Sequence, residues 1–90
     1  MSEPIYIWEV LIPSKIEHLL YKACILNGID IYDDDVVYFS DYVKCAGQKG
    51  FYADVIITAS DKDMIRLYHR LCELKAENTT MWIVDEIIEE

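Results

Sequence analysis

The stretch "FYADVIITASDKD" (residues 51–63) decides the fold, because a strand pattern passes directly into a helix start. Apolar residues recur in it at alternate positions, the period of a strand with one buried face. They are Phe51, Ala53, Val55 and Ile57. Ser60 then precedes Asp61 and Asp63, and a serine followed by acids is typical of a helix N-terminus. The stretch therefore predicts a strand over 51–59 and a helix after it that ends near Asn78. The apolar stripe of this helix is predicted to be Met64, Leu67, Tyr68, Leu71 and Leu74.

The rest of the chain predicts three further strands and one further helix. The strands are 5–12, 36–44 and 79–88, and the helix is 14–27. "SKIE" at the start of this helix has the Ser-x-x-Glu spacing of a capping box. "CAGQKG" (45–50) has the glycines of a hairpin. The order β-α-β-β-α-β predicts one α+β domain over residues 1–90, ferredoxin-like, with a four-stranded antiparallel sheet and both helices on one face.

Composition and charge limit the class of protein. Of the 90 residues 53% are apolar, and no apolar run reaches the length of a membrane span. The start has no signal-peptide pattern, and the three cysteines have no paired spacing, so we expect a cytoplasmic protein that does not bind membranes. Seventeen acids against eight bases give a net charge of −9. Such a chain is repelled by phosphate backbones, which predicts a basic protein partner and no direct nucleic-acid binding.

The predicted topology collects acidic residues at one end of the domain. We expect these residues to bind the partner: Asp30, Asp33, Asp34, Asp35, Asp61, Asp63, Glu89 and Glu90. The opposite end receives most of the lysines, namely Lys15, Lys44, Lys49 and Lys75.

The sheet face away from the helices is predicted to keep large apolar groups, which on a small domain usually indicates a partner. The residues expected there are Ile5, Ile7, Leu11, Tyr52 and Asp54. A second copy of the chain is the simplest partner, so a homodimer is expected.

No pattern predicts a catalytic residue, a cofactor or a metal site. His69 and Cys72 lie three residues apart, but a zinc site needs two more ligands at a usable spacing. "DIYDDD" (30–35) lacks the ligand spacing of a calcium loop.

Two families share the predicted element order. "IYIWEV" (5–10) and "KGF" (49–51) resemble the start of the two signature motifs of RNA-recognition motifs. The resemblance ends at Ala53, where that family has a second stacking aromatic residue, and at Asp54, where it has an apolar one. The order also resembles ACT-type regulatory domains, without a ligand motif to carry over.

The leading hypothesis is a small acidic, non-enzymatic interaction protein. It would act as an inhibitor that covers the basic surface of a nucleic-acid-binding protein, as products of phages and mobile elements do. The alternative is an ACT-like domain that senses a small molecule as a homo-oligomer. In that alternative the hairpin from Gly47 to Gly50 and the start of the first helix would be the neighbours of the ligand.

Overall fold

The centre of the molecule is an antiparallel pair of strands, β1 (Ile5–Pro13) and β3 (Phe51–Ser60). Ile5 lies opposite Ser60, and the pairing continues to the far end of both strands. β2 (Val37–Lys44) pairs antiparallel with the other edge of β3. This computed structural model describes residues 3–74, and residues 81–88 by their backbone only.

Two helices connect and cover these strands. A 3-10 turn over Ser14–Ile16 leads from β1 into α1 (Glu17–Leu26), and α2 (Asp61–Glu73) follows β3 directly. The end of α2 at Glu73 is earlier than the predicted end near Asn78, a residue that lies outside the described part of the chain.

One apolar core lies between the helices and one face of the sheet. Its fully buried side chains come from β1, β3 and both helices: Val10, Ile12, Leu20, Ala23, Cys24, Ala53, Val55, Ile57 and Leu67. Both helices therefore cover the same face, as the period-2 and helical patterns predicted. The Ser60 hydroxyl accepts a hydrogen bond from the backbone N–H of Asp63 at 3.2 Å, which is the predicted cap of α2.

The ferredoxin-like assignment with its four-stranded sheet is corrected. The packed unit that the structure supports is an α+β fold with a three-stranded antiparallel sheet, β2-β3-β1, and two helices. The backbone of β4 (Met81–Ile88) continues the antiparallel pairing beyond β1. The ferredoxin-like fold is defined by a second β-α-β crossover. Here that crossover requires residues 75–80, which lie outside the described residues, so the coarser α+β class replaces it.

The predicted capping box at the first helix is also wrong. Neither the 3-10 turn nor α1 has a side-chain cap. The Glu17 carboxylate instead accepts hydrogen bonds from Tyr21 Oη at 2.6 Å and Tyr42 Oη at 2.8 Å. Two tyrosine hydroxyl groups therefore occupy the carboxylate that the capping box would have paired with a backbone N–H. Hydrogen bonds to a charged carboxylate are stronger than those between neutral groups.

Candidate functional site

The face of the sheet opposite the helices, called here the open sheet face, carries a mixture of apolar and acidic side chains. Strand alternation and register assign its members: Ile5, Ile7, Glu9, Leu11, Tyr38, Asp41, Val43, Asp54, Ile56 and Thr58, together with the nearly buried Tyr52. The apolar members from β1 and β3 are half-buried, and none belongs to the core under the helices. Apolar surface thus surrounds a few acids on one side of the sheet.

Asp54 occupies the middle of the open sheet face. In register it lies opposite Leu11 on β1 and opposite Asp41 on β2. Its Oδ1 atom is buried and has no hydrogen-bond partner among the described residues. A buried acceptor without a donor is unfavourable, and like charges on directly opposite residues of two strands add to that cost. Asp54 therefore has a buried acceptor atom for which the described part of the chain provides no hydrogen-bond donor.

Tyr52, which was predicted on this face, is not offered to a partner. Its side chain is only 7% exposed, and its Oη donates to Gln48 Oε1 at 3.2 Å. The Tyr52 hydroxyl group is thus already hydrogen-bonded within the β2–β3 hairpin, which contains Gln48. Of the five residues predicted for this face, Ile5, Ile7, Leu11 and Asp54 remain half-buried instead.

The predicted acidic loop, residues 30–35, is ordered by its own side chains. Asp30 Oδ1 accepts from the backbone N–H of Tyr32 at 2.9 Å, and Asp33 Oδ1 accepts from that of Asp35 at 2.9 Å. These Asx turns give Asp30 and Asp33 a structural role in holding the conformation of the loop. The four aspartates of the loop are exposed to solvent.

The other predicted acidic positions do not all share a purely acidic surface. Asp61 and Asp63 are exposed in the first turn of α2. Asp61 lines a cavity of about 460 Å³ together with Lys62 and Arg66. Negative charge at this end is therefore interspersed with positive charge. Glu89 and Glu90 lie outside the described residues.

A β-bulge at Ser40 sets which side chains of β2 occupy each face. Phe39 pairs with Val55, and the next pair is Asp41 with Asp54. The extra residue shifts the alternation by one, which turns Asp41 to the open sheet face and the following tyrosine to the helix-bearing face. No residue pattern in the sequence predicted this shift.

On the helix-bearing face, Tyr42 joins β2 to the start of α1. Its hydroxyl group donates to Glu17, and its ring lies 4.8 Å from the Phe39 ring. The hydrogen bond to Glu17 raises the pKa of Tyr42 above its ordinary value. Burial, followed by its own hydrogen bond to Glu17, raises the pKa of Tyr21. Both phenols are thus held as neutral donors to one carboxylate.

Phe51 is the residue whose predicted burial is most clearly wrong. It was expected under the helices, and it does point to the helix-bearing face, but it is 53% exposed. A cavity of about 480 Å³ is lined by Phe51, Tyr42 and Ser14. A smaller one of about 160 Å³ adjoins it at Phe51 and Ser14 and includes Lys15 and Lys49. The two form what is called here the aromatic–lysine cleft.

The described residues contain no group of histidines, cysteines and carboxylates that could hold a metal ion. The three cysteines are free. Cys24 is fully buried in the core, and this burial raises the pKa of its thiol to about 12, so it remains a thiol at neutral pH. The part of the chain that the structure describes has no helix long and apolar enough to cross a membrane.

Comparisons with known proteins identify no family or relative, so function is inferred from the fold and the surfaces described above. No protein-family model matches the chain, and no curated protein has a significantly similar sequence.

Proposed function

We propose that this protein is a non-enzymatic interaction protein that binds a partner with a basic surface, and that the partner docks on the open sheet face. The observation that carries the proposal is the buried, unpaired Oδ1 of Asp54, which lies within half-buried apolar residues. A lysine or arginine of a partner would pair with the other, accessible oxygen of this half-buried carboxylate and offset the charge of the opposite Asp41. The apolar residues around Asp54 would supply the packing.

A basic partner fits this face better than a second copy of the chain does. A copy that packed face to face would bring Asp41 and Asp54 toward the same acids of the other copy, and like charges brought together in an interface are costly. We still predict a homodimer, but through the sheet edge formed by β2 and not through the open sheet face. β2 is an edge strand, and edge strands can pair with another chain. Light scattering with size-exclusion chromatography measures whether the protein is a dimer.

The exposed acids elsewhere would act at longer range. The net charge of −9 favours encounter with a basic surface and opposes binding to nucleic acid. A partner that itself binds nucleic acid has such a surface, so the protein would act as its inhibitor. The free cysteines are compatible with the cytoplasm as the proposed location.

The test compares two substitutions that remove the same charge from different places. The partner is first isolated from the native host by affinity capture, purified, and titrated against each variant. We expect Asp54→Asn to weaken binding by about 2 kcal/mol or more, because a buried charge-assisted bond is lost. Asp34→Asn, in the exposed acidic loop, is the matched control and should cost less than about 0.5 kcal/mol.

Two results would contradict the proposed surface. Equal weakening by both substitutions would show that charge alone matters. Release of the partner by the triple change Asp33→Asn, Asp34→Asn and Asp35→Asn, but not by Asp54→Asn, would identify the acidic loop as the binding surface. Asparagine keeps the side-chain acceptor of the Asx turns, so the triple variant tests charge with little change in loop geometry.

One observation favours the second candidate function, a small-molecule-sensing regulatory domain. The aromatic–lysine cleft lies between Ser14, where the first helical segment starts, and Gly50 of the hairpin. These are the two places expected to contact a ligand in that alternative. A thermal-shift screen of amino acids and nucleotides tests it, and a screen without any stabilising ligand would contradict it.

A further inference from the structure

The aromatic–lysine cleft differs from the rest of the surface in both composition and charge. Two large rings line it and stay about half exposed, Tyr42 at 49% and Phe51 at 53%. Exposed aromatic side chains that line a cavity offer flat apolar surfaces for stacking. The cavity of about 480 Å³ beside them is shallow and open to solvent, a shape that a flat ring can cover.

The rings are held in position by bonds within the protein. Tyr42 is fixed by its hydrogen bond to Glu17 and by its contact with the Phe39 ring. Lys44 Nζ lies 5.2 Å from the centre of the Phe51 ring, within cation–π range. The walls of the cleft are therefore set before any ligand arrives, which lowers the entropic cost of binding.

The charge of the cleft is opposite to that of the whole chain. Lys15 and Lys49 line its smaller cavity, and Lys44 contacts Phe51 at its margin. No acid is among the residues described as lining the two cavities, and Glu17, which contacts Tyr42, already accepts tyrosine hydroxyls with both of its carboxylate oxygens. A negatively charged ligand is thus favoured at this place on a protein that repels anions elsewhere.

We propose that the aromatic–lysine cleft binds an anionic ligand with a planar aromatic ring, of the nucleoside-phosphate class. The base stacks on Phe51 and Tyr42, and the phosphate is bound by Lys15 and Lys49. The proposal rests on the second candidate function and names its ligand class. It is independent of the open sheet face, which lies on the other side of the sheet.

The experiment titrates the full chain, labelled with nitrogen-15, and follows its backbone amides by NMR. The probes are AMP, adenosine, inorganic phosphate and a single-stranded RNA oligonucleotide. We expect AMP to shift the amides of Ser14, Gly50 and Phe51 and to bind more tightly than adenosine. Phe51→Ala should weaken AMP binding at least about fivefold, because a stacked base is lost. Lys49→Gln should also weaken it, whereas Lys62→Gln, at the other end of the sheet, should leave it unchanged.

Each contrary outcome overturns a defined part of the proposal. Equal binding of AMP and adenosine would show that the cleft does not recognise the phosphate group. Binding of inorganic phosphate but not of AMP or adenosine would show that it does not recognise the aromatic base. Binding of the oligonucleotide without AMP would make the cleft a nucleic-acid interface. No shift with AMP at concentrations on the order of 10 mM would reject a nucleoside-phosphate site. In that case, stabilisation by an amino acid would still support the second candidate function, so the two failures are distinguishable.

Discussion

The two faces of the β2–β3 pair differ in the chemistry they present. On the open sheet face Asp41 lies opposite Asp54, whereas on the helix-bearing face Lys44 lies opposite Phe51. These pairs are only a few residues apart along the same two strands. Alternation along the strands separates acids from lysines by face, and the bulge at Ser40 sets which residue falls on which side. One edge of a small sheet thereby carries two surfaces suited to ligands of opposite charge.

Insertion of one alanine between Ser40 and Asp41 should break this separation and have the largest effect on stability. The added residue shifts the alternation by one more position, so Asp41 would turn to the helix-bearing face and Tyr42 would lose its bond to Glu17. We expect a loss of about 2 kcal/mol or more in the free energy of unfolding, measured with urea. Substitution of Ser40 by threonine keeps the residue count and serves as the control. An insertion variant with unchanged stability and an intact Tyr42–Glu17 bond would contradict this role of the bulge.

Alkaline pH should act on the helix-bearing face alone. The folded-state pKa values of Cys24, Tyr21 and Tyr42 are all raised, that of Cys24 from 9.0 to about 12. Raised values mean that the folded protein holds these protons more tightly, so their stabilisation is complete below about pH 9 and is lost as pH rises toward 12. Urea titrations at several pH values measure this.

Two variants show where the alkaline effect originates. Cys24→Ala should flatten the decline of stability above pH 9, which is the ordinary pKa of the thiol. Asp54→Asn, on the open sheet face, should leave the decline unchanged. Stability that stays constant up to pH 12 would show that the described burial of the thiol is wrong.

Removal of one tyrosine hydroxyl should have a smaller effect. Tyr42→Phe deletes a single, solvent-exposed bond to Glu17, so we expect a smaller loss in unfolding free energy than the insertion causes. Tyr38→Phe is the matched control, because Tyr38 lies before the bulge on the same strand and has no described hydrogen bond. Equal effects of both substitutions would argue against a specific role of the Glu17 bond.

The smallest expected effect has the opposite sign. Asp54→Asn should stabilise the isolated protein by about 0.5 kcal/mol, since it removes one of two like charges on opposite residues. The same change should weaken partner binding, so stability and binding would move in opposite directions. Destabilisation of the free protein would instead indicate that Asp54 has a structural role within the chain.

Local patterns predicted the elements and the core well. The alternation of Ala53, Val55 and Ile57 identifies a buried face, because it depends only on the period of one element. The predicted stripe of α2 is buried at Met64, Leu67 and Leu71 and partly buried at Leu74, whereas its member Tyr68 is exposed. The acidic and apolar mixture of the open sheet face followed from the same alternation. These features need no knowledge of which strand pairs with which residue.

The features that were missed depend on contacts between distant segments. The bulge at Ser40 is defined only by the pairing of β2 with β3. The Glu17 carboxylate does not cap the helix because it accepts a hydrogen bond from Tyr42, which is 25 residues away in the sequence. Phe51 has the right period for burial, yet it remains exposed at the start of β3. A ferredoxin-like fold could not be assigned from element order, because the order does not establish the second crossover.

Site-specific photo-crosslinking in the native host tests the central claim most directly. A photoreactive phenylalanine analogue replaces either Tyr38, on the open sheet face, or Tyr68, on α2, two tyrosines with similar exposure of 51% and 43%. The account predicts an adduct with one basic protein from position 38, none from position 68, and loss of the first adduct when Asp54→Asn is added. An adduct with the same protein from position 68 but not from position 38 would contradict it.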